Sequence, residues 1–358
     1  MFFRVRSVTL WPVAMAAELW KHLARASERV YGGCVMALLL SEADVRALLT
    51  MPLALEVVEE AFRRQAAADA VVHPRQRIEV PEKSFLHYMA AADLAGGYMG
   101  MKIYTSVRGA VRFLVLLYSA RSGQLFALIE ADYLGQMRTG AASGVATKHM
   151  SRADARTVGI VGTGLQARTQ LEAIAAVRRI EAIRAFGRNP ERRAEFSEEM
   201  SERLGVPVSP AGSAEAAVGD ADIVVAATTA SRPVVLGAWL APGMHINAIG
   251  ANFPQKRELD DEAVRRADLI AVDSVEQSKL EAGDLVQAFG QDASRWAAVR
   301  ELAEVVAGKV PGRPAAGAVT LFKSNGIAIW DVAVAARVYE LAAQKQVGER
   351  IPLWEHCG

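Results

Sequence analysis

The apolar residues of the first part of the chain follow a helical period. Over residues 41–68 they recur at intervals of three and four, which predicts an amphipathic helix with one face on a core. Pro52 stands near a helix start, where its fixed φ and missing N–H are tolerated. Ser41 and Asp44 have the spacing of a capping box, so we expect a helix to begin directly after Ser41.

After this segment the period changes to that of β-strands. Short apolar runs are separated by Pro, Gly, Asp and Ser, which predicts an antiparallel or mixed sheet. These runs are RIEV, SFLHYMA, YMGMKIYT, RFLVLLYS and LFALIEA. The stretch RSGQ, residues 121–124, is typical of a hairpin turn between the last two runs.

Residues 132–149 return to a helical pattern with an unusual composition. Its middle is made of small residues, namely Gly140, Ala141, Ala142, Ser143, Gly144 and Ala146. Small side chains let a helix approach either another backbone or a ligand closely, and the sequence leaves both explanations open.

From residue 157 onwards, apolar strands alternate with helical stretches. The strands are TVGIV, AIRAF, IVVAAT, HINAIG and LIAVD, and this alternation is typical of a parallel, doubly wound sheet. It ends in a Pro/Gly-rich stretch, residues 308–317. The strand AVTLFKS and a helix over residues 326–345 lie outside the block, so we expect both to return to the first domain. We therefore predict a first α+β domain of residues 36–152, completed by 318–353, around an α/β domain of residues 153–317.

The composition excludes several classes of function. The chain has 41 Lys and Arg against 40 Asp and Glu, so it has no basic surplus for nucleic acid or an acidic membrane surface. No apolar stretch is long enough for a transmembrane helix, and the six scattered histidines suggest no metal site. Cys34 and Cys357 form no disulfide framework, which favours a reducing, cytoplasmic compartment.

Residues 1–35 differ from the rest of the chain. Their basic start and short apolar stretch weakly resemble a signal peptide, but Pro12 interrupts the stretch. The alternative is a spurious or disordered extension, with the working protein starting at Met36. We favour this second interpretation.

The stretch VGIVGTGLQA joins a buried strand to a helix through two glycines. Gly162 would allow a tight turn, Gly164 the close approach of a pyrophosphate, and Ala167 close packing of helix on strand. The amides at the helix start favour phosphate charge. A tight turn alone is the simpler explanation, but the strand and helix on either side favour a Rossmann dinucleotide site.

The next strand, AIRAF, ends in Gly187 and Arg188 with no acid at its tip. An acid there would accept from the ribose 2′-OH of NAD, whereas an arginine suits the 2′-phosphate of NADP. The sequence therefore favours NADP(H), with NAD(H) possible. A solvated loop arginine is the alternative role for Arg188.

Three cations of the first domain stand among apolar or small residues. They are Arg77 at the start of a strand, Lys102 inside YMGMKIYT and Arg138 at the head of the small-residue helix. Each alone is typical of a solvated surface charge, but together they could hold a small carboxylate.

Several motifs in order resemble the ornithine cyclodeaminase/mu-crystallin family over about residues 36–353. They are MRTGAASGVATKHM, VGIVGTGLQA, PGMHINAIGA, ELDDE, VDSVEQSKLEAGDL and VTLFKSNGIAIWDVAVAARVYE. The resemblance implies a homodimer whose substrate and dimerisation domain is built from both chain ends, with a Rossmann domain between them.

The resemblance also implies roles for individual residues. Arg77, Lys102 and Arg138 match the cations that hold the substrate carboxylate, and Asp273 matches the acid that serves the substrate nitrogen. The residues expected to contact the cofactor are Arg138, Thr139, Gly162, Gly164, Gln166, Ala167, Arg188, Thr228 and Gly250. For Asp273, an N-cap before the helix near Ser274 is the alternative role.

The function expected from these features is an NAD(P)H-dependent oxidoreductase that acts on the C–N bond of a small α-amino or α-imino acid. An ornithine cyclodeaminase with internally recycled NAD and a non-catalytic NADPH-dependent ligand binder are the alternatives. Arg188 and the short connection after Tyr104 both depart from the cyclodeaminases and argue against ornithine cyclisation.

Overall fold

The computed structural model of the protein describes residues 35–81, 84–107 and 110–353. Residues 1–34 of the predicted extension, with Cys34, lie outside the described residues, as does Cys357, whereas its last residue, Val35, belongs to the first strand. In the part of the chain that the structure describes, no helix combines the length and the apolarity that a bilayer crossing requires.

The first domain contains a mixed sheet, as the short apolar runs separated by turn residues predicted. Its chain order is β1 (Val35–Leu40), α1 (Glu42–Leu48), α2 (Met51–Ala66), β2 (Ala70–Val72), β3 (Gln76–Val80), β4 (Ser84–Asp93), β5 (Tyr98–Val107), β6 (Ala110–Ser119), β7 (Leu125–Glu130) and α3 (Asp132–Met150). Strands β2 to β7 pair antiparallel, whereas β1 runs parallel to β7. The predicted turn at residues 121–124 joins β6 to β7.

The helical pattern over residues 41–68 forms two helices. The capping box of Ser41 and Asp44 begins α1, as predicted. Leu49 and Thr50 have extended backbone, and Pro52 lies in the first turn of α2. The helical period of the apolar residues continues across this break because both helices place their apolar faces on the same core.

The small residues of α3 allow a close approach to another helix. A Cβ at Gly140 would collide with the carbonyl of Thr169, and one at Gly144 would lie 2.9 Å from the Cβ of Ala173. Both neighbours belong to the first helix of the second domain. Of the two explanations for this composition, close backbone packing is the one that the structure demonstrates.

The second domain is a doubly wound sheet, as predicted. Its chain order is β8 (Thr157–Val161), α4 (Leu165–Val177), β9 (Ala182–Phe186), α5 (Pro190–Leu204), β10 (Val208–Pro210), α6 (Ala214–Val218), β11 (Ile223–Ala226), a 3₁₀ turn (Gly237–Trp239), β12 (His245–Ala248), α7 (Asp261–Arg266), β13 (Leu269–Val272), α8 (Val275–Glu281), α9 (Gly283–Phe289), α10 (Ala293–Ala298), β14 (Arg300–Glu301), α11 (Leu302–Val306) and β15 (Thr320–Lys323). The eight strands have the order β10-β9-β8-β11-β12-β15-β13-β14 and all pair parallel.

The prediction that the strand AVTLFKS returns to the first domain is wrong. Strand β15 lies inside the second sheet, hydrogen-bonded in parallel to β12 and β13. All four of its residues are buried, which fits a central strand of a parallel sheet. The helix and strand after it, α12 (Ala328–Lys345) and β16 (Glu349–Leu353), do return: α12 packs on β4 and β5, and β16 pairs with β1.

This topology sets the order of the loops along the carboxyl edge of the second sheet. Because neighbouring strands are parallel, the segments that follow β9, β8, β11, β12, β15 and β13 succeed one another along that edge. The crevice outside the carboxyl ends is where ligands bind in open α/β sheets. The segment after β15 leads directly into α12, so this edge meets the first domain.

Candidate active site

The turn after β8 requires its first glycine. Gly162 has φ of +112°, and a Cβ there would collide with the carbonyl of Ala227. Gly164 is the N-cap of α4; it has no side-chain cap hydrogen bond, and a Cβ built there meets no atom within 4 Å. The start of α4 is thus open on the side of the missing Cβ of Gly164, while Ala167 is buried against the sheet. This geometry fits a pyrophosphate at the helix N-terminus.

The other predicted cofactor residues lie around this turn. Arg188 is exposed just beyond β9, and no acid occupies that strand tip. In α4, the Oε1 of Gln166 is buried and has no hydrogen-bond partner in the part of the chain that the structure describes. Thr139 lies in α3, where its hydroxyl donates to the carbonyl of Gly135 and its own carbonyl accepts from Gln170. Its side chain is thus occupied within the helix.

Thr228 and Gly250 follow the two central strands, β11 and β12. Both backbone N–H groups donate to the carboxylate of Glu258, at 2.6 Å each. The sequence analysis quoted Glu258 only as the first residue of the motif ELDDE and gave it no role, because an acid in this polar stretch resembles an ordinary surface residue.

Lys102 and Arg138 converge on one carboxylate, that of Asp331 in the first turn of α12. The Nζ of Lys102 lies 2.9 Å from Asp331 Oδ1, and the Nε of Arg138 lies 3.0 Å from the same oxygen. All three side chains are buried. Among the described residues, Asp331 Oδ2 and Arg138 Nη1 have no hydrogen-bond partner, so this group of charges can still accept and donate hydrogen bonds.

Burial weakens the charged form of Lys102. It lowers the pKa of the ammonium to about 8; the nearby guanidinium of Arg138 acts in the same direction, and Asp331 opposes both. Lys102 is therefore mainly protonated at neutral pH.

Arg77 belongs to a second pair of cations, together with Arg75, which the sequence analysis missed. The two guanidinium groups share Glu281 at the end of α8, at 2.6 Å from Arg75 and 2.5 Å from Arg77. Arg77 also donates to the carbonyl of Asn252 and lies over the ring of Phe253. Arg75 is the more deeply buried of the two.

Asp273, at the end of β13, anchors the segment that follows β15. Its Oδ2 accepts from the hydroxyl of Ser324 and from the N–H groups of Asn325 and Gly326, at 3.1, 2.7 and 2.6 Å. Its Oδ1 accepts from the N–H of Ser274, but Ser274 itself is the N-cap of α8. The simple N-cap role is therefore wrong. Burial raises the pKa of the Asp273 carboxyl, and those hydrogen bonds oppose the shift.

The segment of residues 324–326 brings both groups of cations together. Arg75 donates to the carbonyls of Asn325 and Gly326. Gly326 has φ of +77°, and a Cβ there would lie 2.5 Å from Arg138 Nη1. The positive φ favours a glycine at this position, and the missing side chain leaves room for the guanidinium of Arg138.

His87 and Tyr104 stack on the sheet face that carries Lys102. Their ring centroids lie 4.3 Å apart with an interplanar angle of 7°. His87 pairs with Arg77 on the neighbouring strand, and none of the described residues forms a hydrogen bond with its buried Nδ1. Burial lowers the pKa of His87 to about 4, and the charges of Arg77 and Arg75 add to the shift, so its imidazole is neutral at pH 7.

Two of the missed residues had a weak signal in the sequence. Asp331 is the one charged residue in the apolar start of its helix, AIWDVAVAA. Arg75 precedes Arg77 by two positions in PRQR, the spacing that places two side chains on one side of an extended chain. Glu281 lies within the quoted motif VDSVEQSKLEAGDL but resembles an ordinary surface acid.

Comparisons with known proteins agree with this architecture. A family model described as the ornithine cyclodeaminase/mu-crystallin family matches residues 35–346. A Delta(1)-pyrroline-2-carboxylate reductase of Bacillus cereus is 37% identical over 261 residues, which cover 71% of this chain and 80% of the relative.

Two solved structures share the fold of the whole described chain. Thermococcus litoralis Delta(1)-pyrroline-2-carboxylate reductase in complex with NADH and L-proline has a TM-score of 0.84 at 38% identity, covering 88% of this chain and 100% of that one. An archaeal alanine dehydrogenase dimer with bound NAD has a TM-score of 0.83 at 36% identity, covering 88% and 99%. The sequence motifs, the two-sheet fold and these matches agree, and the chain belongs to the ornithine cyclodeaminase/mu-crystallin family.

Proposed function

We propose that this protein reduces a small α-imino acid to the α-amino acid, with NADPH as the preferred reductant. The substrate is either a cyclic imine carboxylate or the imine formed from a 2-oxo acid and ammonia. At the coarser level the chain is an NAD(P)-dependent oxidoreductase that acts on C–N bonds. The observation that carries the proposal is the convergence of buried Lys102 and Arg138 beside the carboxyl edge of the nucleotide-binding sheet.

The order of the loops along that edge supports this proposal, in which each part of the ligands lies against one loop. Arg188 follows β9, the glycine turn follows β8, Thr228 and Gly250 follow the next two strands, and the cation cluster lies beyond them. When bound, the nicotinamide supplies the hydride. Arg188 supports NADPH over NADH because a guanidinium can pair with the 2′-phosphate. The solved structures of the Thermococcus litoralis reductase and the archaeal alanine dehydrogenase contain NADH and NAD. The preference of this protein for NADPH is therefore our own proposal, and it rests on Arg188.

The charges of the cluster suit one substrate carboxylate. The cations are Arg75, Arg77, Lys102 and Arg138, and the acids are Glu281, Asp331 and Asp273. These four cations against three acids leave one positive charge in a buried site, which favours binding of an anion. We assign the carboxylate to Lys102 and Arg138, with Arg77 at the entrance.

In this scheme Asp273 serves the substrate nitrogen, which is positively charged in the reactive iminium form. A buried carboxylate close to an iminium stabilises its charge and can exchange its proton. The cluster thereby holds both ends of the substrate. Its main contributions to the rate are fixed orientation and exclusion of water.

The charges of the site favour a reductase over an ornithine or lysine cyclodeaminase. A diamino acid brings a second ammonium group, which needs an anionic partner in a buried site. Both oxygens of Glu281 already accept from Arg75 and Arg77, Asp331 is shared by the two cations that we assign to the substrate carboxylate, and the imidazole of His87 is neutral. A substrate with an uncharged side chain is the better match.

We also propose that the protein acts as a homodimer through the uncovered face of the first sheet. Met99, Met101 and Ile103 on β5 pair with Tyr118, Leu116 and Leu114 on β6, which gives one apolar surface. Met99 and Leu114 are each 37% exposed. Helix α12 packs on the opposite face, which carries Lys102. Apolar patches of this kind are typical of subunit interfaces, and the archaeal relative is a dimer.

A cytoplasmic location completes the proposal. It rests on the chain having two cysteines, neither in a CxxC spacing, which suits a reducing compartment.

The decisive experiment measures loss of NADPH absorbance with Δ1-pyrroline-2-carboxylate, Δ1-piperideine-2-carboxylate, or pyruvate plus ammonia. We expect one imine, one NADPH and one proton to give one amine and one NADP⁺. Release of ammonia from ornithine without net change in the cofactor would instead identify a cyclodeaminase. Tight ligand binding without turnover of any substrate would identify a binding protein.

A further inference from the structure

Glu258 connects two loops through a buried carboxylate. Its Oε1 accepts from the N–H and the hydroxyl of Thr228, at 2.6 and 2.8 Å, and its Oε2 accepts from the N–H of Gly250 at 2.6 Å. Thr228 follows β11 and Gly250 follows β12. The loops touch directly as well, because a Cβ at Gly250 would collide with the carbonyl of Thr228.

A second layer of buried charges holds Glu258 in place. Asp284 Oδ1 accepts from the N–H groups of Glu258 and Leu259, at 2.6 and 2.8 Å. Lys323 Nζ lies 3.3 Å from Asp284 Oδ2. Glu258, Asp284 and Lys323 are all fully buried. These contacts hold the Glu258 carboxylate in one orientation. Its hydrogen bonds in turn fix the position of the two loops relative to each other.

The position of these loops along the sheet edge indicates what they receive. They lie between the glycine turn after β8 and the cation cluster around residues 324–326. A dinucleotide whose pyrophosphate sits on the glycine turn extends its reactive half towards the cluster. The loops after β11 and β12 are therefore in the path of the nicotinamide ribose and ring, whereas the adenine half lies on the side of β9.

We propose that Glu258 is a positioning residue that sets the nicotinamide half of the cofactor site and leaves the adenine half to the glycine turn. This inference rests on the proposed dinucleotide-dependent function. We therefore expect a substitution at Glu258 to weaken binding of the nicotinamide half and to leave binding of the adenine half unchanged.

The experiment compares whole cofactors with fragments that lack nicotinamide. Isothermal titration measures the Kd of NADPH and 2′-phospho-ADP-ribose, and of NADH and ADP-ribose, for the parent and for Glu258→Gln. The glutamine keeps the volume, but its amide NH₂ cannot accept one of the loop N–H groups. We expect the Kd of each dinucleotide to rise at least tenfold and that of each fragment to change less than twofold.

Asp222→Asn provides a matched control, because Asp222 lies at the amino end of β11 whereas Thr228 follows its carboxyl end. Asp222 precedes β11 and accepts from the N–H groups of Arg156 and Thr157 at the amino edge of the sheet. We expect a lower melting temperature with no change in the ratio of dinucleotide to fragment affinity. Thr228→Val, which removes one hydrogen bond to Glu258, gives a milder variant should Glu258→Gln not fold, and we expect it to raise the dinucleotide Kd alone.

The possible outcomes are distinct. If the parent binds the dinucleotides and the Glu258 and Thr228 variants leave the affinity ratio unchanged, the inference is wrong while the proposed function stands. If the parent binds neither dinucleotide, the proposed function fails and the inference fails with it.

Discussion

Lys102 Nζ lies 2.9 Å from Asp331 Oδ1, with both side chains buried. Lys102 belongs to β5 of the first sheet, and Asp331 to the helix that follows the last strand of the second sheet. The same oxygen accepts from Arg138. One carboxylate therefore fixes the separation of the two cations that we assign to the substrate carboxylate.

Replacing Asp331 with Asn should disable the site while the fold persists. The amide oxygen can still accept, but the charge that stabilises two buried cations is lost, at a cost of about 2–5 kcal/mol for a desolvated charge pair. We expect kcat/KM to fall at least about 30-fold, since each 1.4 kcal/mol is a factor of ten. Steady-state kinetics with the best imine substrate measures it. Glu340→Gln, on the same helix, is the control, and an equal loss in it would contradict the assignment.

The pKa of Lys102, lowered to about 8 by burial, predicts the alkaline limb of the pH profile. The ammonium is present below this pKa and lost above it, so binding of the substrate carboxylate should weaken as the pH rises. We expect kcat/KM to fall about tenfold per pH unit above pH ~8, with kcat less affected. Lys102→Arg keeps its charge at high pH. If the kcat/KM of Lys102→Arg falls above the same pH as that of the parent, Lys102 is not the titrating group.

Arg188→Ala should change the cofactor preference. Arg188 is exposed beyond β9 and is free to meet a 2′-phosphate, so NADPH binding should lose about 1.5–3 kcal/mol and NADH binding very little. Titration of both cofactors gives the two Kd values. Arg179→Ala removes an exposed arginine that lies just beyond the carboxyl end of α4, and it should alter neither Kd. Equal weakening of NADPH and NADH would show that Arg188 does not contact the phosphate.

Asp273→Asn tests the acid assigned to the substrate nitrogen. The variant removes the charge that we assign to the substrate nitrogen, so we expect turnover to fall at least tenfold. It also places an NH₂ group against N–H or O–H donors that the carboxylate now accepts from, so we expect the free energy of unfolding to fall by about 1–3 kcal/mol. Ser324→Ala removes one donor to the same carboxylate and keeps its charge. We expect that variant to retain turnover. Parent-like turnover in Asp273→Asn would leave Asp273 with a purely structural role.

Leu114→Glu tests the dimer interface. Leu114 is 37% exposed on the apolar face of the first sheet, and a carboxylate there would be desolvated on association. We expect light scattering after gel filtration to show a monomer, against a dimer for the parent. Leu280→Glu changes an exposed leucine of α8 in the second domain and should remain dimeric. A dimer in both variants would move the interface elsewhere.

The sequence by itself determined the parts of this protein that depend on local order. The glycine turn, α4 and the missing acid at the tip of β9 are contiguous, so period and spacing predicted them. The alternation of strands and helices predicted the doubly wound sheet, and short apolar runs separated by turn residues predicted the mixed sheet. Arg77, Lys102 and Arg138 were found because each is a charge among apolar or small neighbours, and the family motifs assigned them to one site.

The tertiary structure decided the pairings between distant segments. Strand β15 joined the second sheet because its fully buried residues satisfy two parallel neighbours, and a short apolar run in sequence does not specify which sheet it completes. Lys102 and Asp331 are 229 residues apart, and Arg75 and Glu281 are 206 apart. No local period links such residues. Burial of the charges selects their partners, because a desolvated cation requires an anion and only the folded chain brings one to it.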